Sequence, residues 1–228
     1  MLRRLIKASA IVIATGLVVA GCSTAKIGAA AITTSERITI ATLNNQVTNL
    51  NETAKRYPAI VTLSATQATQ QTLTWLIRYQ INEELARQNG ITVTTAQAQA
   101  ALVQAYASAT TAAEQQGLTN VTPTLILAYS GIPPNTAPEL GRYEAIANEY
   151  LKIANGGTAP TSSAAQTAAG AKLNKAECEA AKALNIAVNP PFGQLDYTQY
   201  QVVTVPSQVT RPAGPTTSPS PIATAPAC

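Results

Sequence analysis

The chain has 228 residues, 43 of them alanine and 11% charged, with a formal net charge of +4 and no histidine. That length supports one substantial core or two small domains, and one Phe, one Trp and one Met leave the core to Leu, Ile, Val and close-packed Ala. The missing histidine excludes Ser-His-Asp and Cys-His nucleophiles, imidazole acid–base catalysis and His-ligated zinc or haem, and cysteines as distant as Cys22, Cys178 and Cys228 form no CxxC pair.

Arg3, Arg4 and Lys7 precede an apolar or small run from Ala8 to Gly21. The run is shorter than the roughly 20 residues a spanning helix needs and has the length of the apolar region of a secretory signal. It closes on Val19-Ala20-Gly21-Cys22, which resembles a bacterial lipobox. The resemblance implies cleavage between Gly21 and Cys22 and a diacylglyceryl group on the Cys22 sulfur. An ordinary signal that contains a cysteine is the alternative. Two acyl chains of the palmitate kind, at about 0.8 kcal/mol per buried methylene, hold a protein on a membrane where one does not. The expectation is a signal over 1–21, a lipidated tether over 22–26, and a mature protein on the extracytoplasmic face of the cell membrane. Loss of Arg3, Arg4 and Lys7 leaves 12 basic against 11 acidic residues. That balance gives no reason to expect nucleic acid as a partner.

Residues 28–33 predict a small strand and Thr34-Ser35 a turn. Thr39 predicts the cap of a first helix whose stripe is Ile40, Leu43, Val47, Leu50 and Ala54, ended by Tyr57-Pro58. Ser64-Ala65-Thr66-Gln67 is a capping box for a second helix with Leu73, Ile77, Ile81 and Leu85 on one face, terminated at Asn89-Gly90. Thr94-Thr95-Ala96-Gln97 is another box, opening an Ala-rich helix that stops at Gly117. Thr122-Pro123 begins a short helix, and Pro138 opens one that runs to Gly156-Gly157. Residues 157–171 contain only Gly, Ala, Ser, Thr, Pro and Gln and read as a flexible linker. Asn174 with Glu177 predicts a cap for a helix of about ten residues. Ile186 to Val188 reads as extended, Asn189 to Gly193 as a turn and Gln201 to Val205 as a final strand. The segment 206–228, rich in Pro, Ser, Thr and Ala, reads as a disordered tail. The fold class expected is mainly α, with a helical domain over 27–156, completed by a helix and strands over 172–205, and a small β element joining the two ends.

The order of these pieces resembles the N-terminal domain of SurA/PrsA-like folding factors, in the form found in actinobacterial lipoproteins. The residues that carry it are Ala29-Ala30-Ala31-Ile32 after the lipobox, Arg37-Ile38-Thr39 before Leu43, the passage Asn89-Gly90-Ile91-Thr92-Val93-Thr94, and Val188-Asn189-Pro190-Pro191-Phe192-Gly193. In the last of these, Pro191 and Phe192 replace the family's Arg and Tyr. The resemblance implies a chaperone-like module. Full-length relatives add parvulin prolyl-isomerase modules, for which no segment here is long enough and no histidine is present, so no isomerase activity and no cofactor are expected.

Few constellations carry chemistry. Glu83 and Glu84 diverge by about 100° on a helix, and Glu83 with Arg87 and Lys175 with Glu179 are spaced as i,i+4 ion pairs. Glu139, Glu144 and Glu149 spread around their helix and make no metal site. Trp75 and Tyr79 share a face offset from the Leu73–Ile77–Ile81 stripe, and with Tyr106 and Tyr129 they are candidates for contacting peptide. The alternative is a helix buried on two sides. An oxidising compartment permits a Cys178–Cys228 bridge, worth about 3–5 kcal/mol by loop-closure entropy. A disordered tail end and a short helix argue against a stable one. The expectation is a non-enzymatic lipoprotein that binds unfolded or extended polypeptides. The alternative is an assembly lipoprotein with one dedicated cell-envelope partner.

Overall fold

The computed structural model describes residues 27–205. The readings of residues 1–26 and 206–228, including Gly21, Cys22 and the tail, lie outside them. The described chain is mainly helical, with six α-helices and two small antiparallel sheets. No described helix is long and apolar enough to cross a membrane.

Strands β1 (Ala29–Ile32) and β2 (Arg37–Thr39) form a hairpin. Helix α1 (Ile40–Arg56) follows at once, because Thr39 turns extended and its hydroxyl accepts from the Thr42 N–H. Leu43 and Leu50 are fully buried on its inner face, and Lys55 and Arg56 sit where the helix dipole favours cations. Helix α2 (Ala65–Gln88) starts at the expected capping box, with both reciprocal bonds between Ser64 and Gln67 formed. It is the spine of the molecule. Leu73, Ile77 and Leu85 are wholly enclosed, and α1, a later pair of helices and a strand pack around it.

Thr94 and Gln97 make the second capping box, for α3 (Thr95–Gln115). Its neighbour in sequence is α4 (Pro123–Tyr129), capped by Thr122 with Pro in the first turn. Helix α5 (Ala137–Ala154) follows a 3₁₀ turn at Pro134–Thr136 and lies along α3. The approach is close enough to need glycine at 141: a β-carbon there would stand 2.6 Å from the Ala98 carbonyl oxygen.

Helix α6 (Ser163–Leu184) corrects residues 163–171 of the linker expected over 157–171, leaving only 157–162 as a loop. Ser162, rather than Asn174, is the cap, and it accepts from the Ala165 N–H. The segment 163–171 lacks large side chains, but alanine is the strongest helix former. Ala169, Ala176, Ala180, Ala181 and Leu184 bury against the rest, so the small residues let α6 pack closely on α2 and α5. Asn185 ends it in the left-handed region at φ 46°.

Strand β3 (Ala187–Val188) pairs with β1, giving the order β2-β1-β3, so the sheet joins the two ends of the described chain. Asn189 reinforces it twice: its N–H donates to the Ala30 carbonyl at 2.8 Å and its Nδ2 to the Ala29 carbonyl at 2.9 Å. A second hairpin pairs β4 (Gln194–Asp196) with β5 (Gln201–Val203). The three-residue β4 had no signal in the sequence reading, and β5 is shorter than the expected 201–205. The hairpin lies on α2, where the Val202 N–H donates to Thr74 Oγ1 at 2.8 Å.

Candidate functional site

Two faces of the molecule carry the residues that sequence reading singled out. On the first, Trp75, Tyr79 and Tyr143 stack around one another, with ring centroids 6.0 to 6.2 Å apart. They cover a satellite core of Leu127, Ile132 and Leu140, and Tyr106 packs on the same core. Polar contacts tie the rings down. Trp75 Nε1 donates to the Ser130 carbonyl at 3.4 Å, and the Tyr79 hydroxyl meets Thr136 Oγ1 at 3.2 Å. The Arg78 guanidinium lies 5.1 Å from the Trp75 ring and donates to the Gln199 carbonyl at 2.9 Å, linking the rings to the β4–β5 hairpin. Burial raises the Tyr79 phenol pKa and pushes that of Tyr143 up to about 12. These phenols therefore stay neutral at physiological pH. Trp75, Tyr79 and Tyr106 are half-buried and spend their inner faces on packing.

Tyr129 stands apart. It is 54% exposed and borders a groove of about 190 Å³ between the C-terminal half of α3 and α4. Ala109, Ala113, Leu118, Val121 and Ile126 line the groove with it, and no charged side chain does.

A wider cleft of about 440 Å³ opens between the β1–β2 turn, α2 and α5. Its rim is charged. Arg142 grips the Glu83 carboxylate with two nitrogens, Nη2 to Oε2 at 2.8 Å, and also reaches the Val93 carbonyl at 3.3 Å. Arg87 pairs with Glu84 at 2.7 and 2.5 Å, which corrects the expected Glu83–Arg87 pair. The pairing shifts by one residue because Arg142, far away in sequence, claims Glu83. Arg87 donating to Glu84 holds that carboxyl below the usual carboxylate range. Asn82 also borders the cleft. It is 2% exposed, and neither Oδ1 nor Nδ2 has a hydrogen-bond partner among the described residues. Its signal in the sequence was an amide beside Ile81 on the helix that carries the Leu73–Ile77–Ile81–Leu85 stripe.

No family model matches the chain, and neither a curated protein nor a solved structure does.

The remaining candidates are simpler. Lys175 and Glu179 lie 3.9 Å apart on the surface of α6. Among the described residues, no three acidic or cysteine side chains are grouped to hold a metal ion. Burial raises the carboxyl pKa of Glu144 and of Glu177. Cys178 is disulfide-bonded, to a partner outside the described residues.

Proposed function

We propose that the protein is a lipid-anchored, extracytoplasmic binding module that holds unfolded or extended polypeptides by apolar contact, with no covalent step. The observation that supports this best is the uncharged groove beside Tyr129. A groove with aliphatic walls and an exposed aromatic at its edge takes apolar side chains of many sequences, since nothing in its walls demands a matching charge. The lipobox-like Val19-Ala20-Gly21-Cys22 supports the anchor, and the resemblance to SurA-like domains fits the same reading. The test is light scattering of an aggregating client mixed with the protein at several-fold excess. Suppression by wild type, weakened in a folded Tyr129→Ser variant, is the expected result. No suppression by wild type overturns the reading. The anchor is tested separately: palmitate label enters wild type and not Cys22→Ala.

A dedicated envelope partner is the second reading, favoured by the charged cleft. There Glu36, Glu83, Glu84 and Glu139 stand with Arg87 and Arg142 in one pattern. Such a pattern selects one complementary surface better than it serves many clients. Crosslinking that recovers one saturable partner, with no effect on generic clients, would favour it.

A further inference from the structure

We propose that the charged cleft between the β1–β2 turn, α2 and α5 is a pocket for one basic side chain of a polypeptide, arginine or lysine. Asn82 carries the inference. It is 2% exposed and lines the cleft, and neither Oδ1 nor Nδ2 has a hydrogen-bond partner among the described residues. A buried amide with both ends unmatched weakens a fold, and a leucine of nearly the same shape would sit there without that loss. The two ends call for one N–H donor and one acceptor. A ligand in the cleft can supply both.

The charges of the lining set the ligand's sign. Four carboxylates and two guanidinium groups border the cleft. Arg142 is engaged by Glu83 and the Val93 carbonyl, and Arg87 by Glu84. Those two pairs cancel. Glu36 and Glu139 remain, both exposed and neither in an ion pair among the described residues. Gln80, whose Nε2 donates to Glu36 at 3.3 Å, has a buried Oε1 with no partner. The surplus is therefore two negative charges and unused acceptors, which attract a cation rich in N–H groups. An anion would meet guanidinium groups that are already occupied. Tyr79 and Tyr143 also border the cleft, and neutral aromatic rings favour a cation further. Asn82 Nδ2 points to a polypeptide as the source, because it needs a carbonyl, which a peptide backbone carries and a simple polyamine lacks. The volume of about 440 Å³ lies within the roughly 300–1,000 Å³ of small-ligand sites. That holds one side chain with its adjoining backbone. The cleft is separate from the groove beside Tyr129, and the proposal stands whether the protein serves many clients or one partner.

The test titrates the full chain with the peptide acetyl-Gly-Arg-Gly-amide, by calorimetry and by the nitrogen-15 NMR signal of the Asn82 side chain. Saturable binding that moves this signal is the expected result. Replacing the arginine with citrulline, its neutral isostere, should weaken binding about tenfold or more, and so should Glu139→Gln. Propylguanidine, the cation without a carbonyl, should also bind about tenfold more weakly than the peptide. Asn82→Leu should lose binding while Tm stays at or above that of wild type. Glu114→Gln, exposed on α3 and outside the cleft, should change nothing. Absence of saturable binding overturns the proposal, as does a citrulline peptide bound equally well. Peptide affinity unchanged in both Asn82→Leu and Glu139→Gln overturns it too. Propylguanidine bound as tightly as the peptide overturns the polypeptide as the source.

Discussion

Gly141 of α5 rests against Ala98 of α3, so close that the backbone carbonyl at 98 occupies the space a side chain at 141 would need. Alanine is about 1 kcal/mol better than glycine in a free helix, yet Gly141→Ala is expected to destabilise the protein by about 1–3 kcal/mol through overpacking. Gly170 of α6 is the control. A β-carbon there meets nothing within 4 Å, and Gly170→Ala is expected to stabilise by about 0.5–1 kcal/mol. Urea unfolding of both variants decides it. Stabilisation by both substitutions would mean that α3 and α5 do not approach as described.

Glu84 and Glu177 are expected to respond to pH in opposite senses. Arg87 lowers the Glu84 pKa below its unfolded value of about 4.3. Its contribution is thus present above that value and is lost as pH falls through the lowered one. Burial raises the Glu177 pKa despite the nearby Arg78. The folded state then favours its protonated form, and stability falls as pH rises through the raised value. Thermal melts from pH 3 to 8 should show Glu84→Gln lowering Tm at neutral pH and Glu177→Gln raising it. Both differences should shrink toward acid.

Asn189 fastens the late strand to the first one. Asn189→Ala keeps the backbone bond to Ala30 and removes the side-chain bond to Ala29. The expected cost is about 1 kcal/mol, with faster hydrogen exchange at the β1 amides and unchanged exchange in α3.

The Glu83–Arg142 pair spans two helices, but its side chains are 48% and 41% exposed. Solvent screens such a pair, so a double-mutant cycle to Gln and Leu should give a coupling of about 0.2–1 kcal/mol that salt weakens. A coupling well above that range would indicate a drier cleft than the geometry describes.

What the sequence disclosed was local. Thr39, Ser64, Thr94 and Thr122 each cap a helix where expected, because a capping bond involves residues three apart and competes with little else. The Leu73–Ile77–Ile81–Leu85 stripe is buried for a similar reason: it is one repeating pattern on one helix. What failed was settled by distant partners. The start of α6 has the composition of a linker, and it is the surfaces of α2 and α5 that make its alanines a packing face. Arg142 decides which glutamate Arg87 holds. Three of the four candidate aromatics came together on a satellite core, Tyr79 also lining the charged cleft, while Tyr129 stands apart at the uncharged groove. Periodicity places residues on a face without saying what covers it.

The three-stranded sheet also imposes an order on biogenesis. Ala29–Ile32 leaves the ribosome well before Ala187–Val188, and one of its two edges is matched only when that later strand arrives. Until then a nascent or prematurely terminated chain carries an open β edge, the kind that templates aggregation. Closure of the sheet must wait for residues 187–188, so products truncated before them should be targets for quality-control proteolysis rather than partial substitutes.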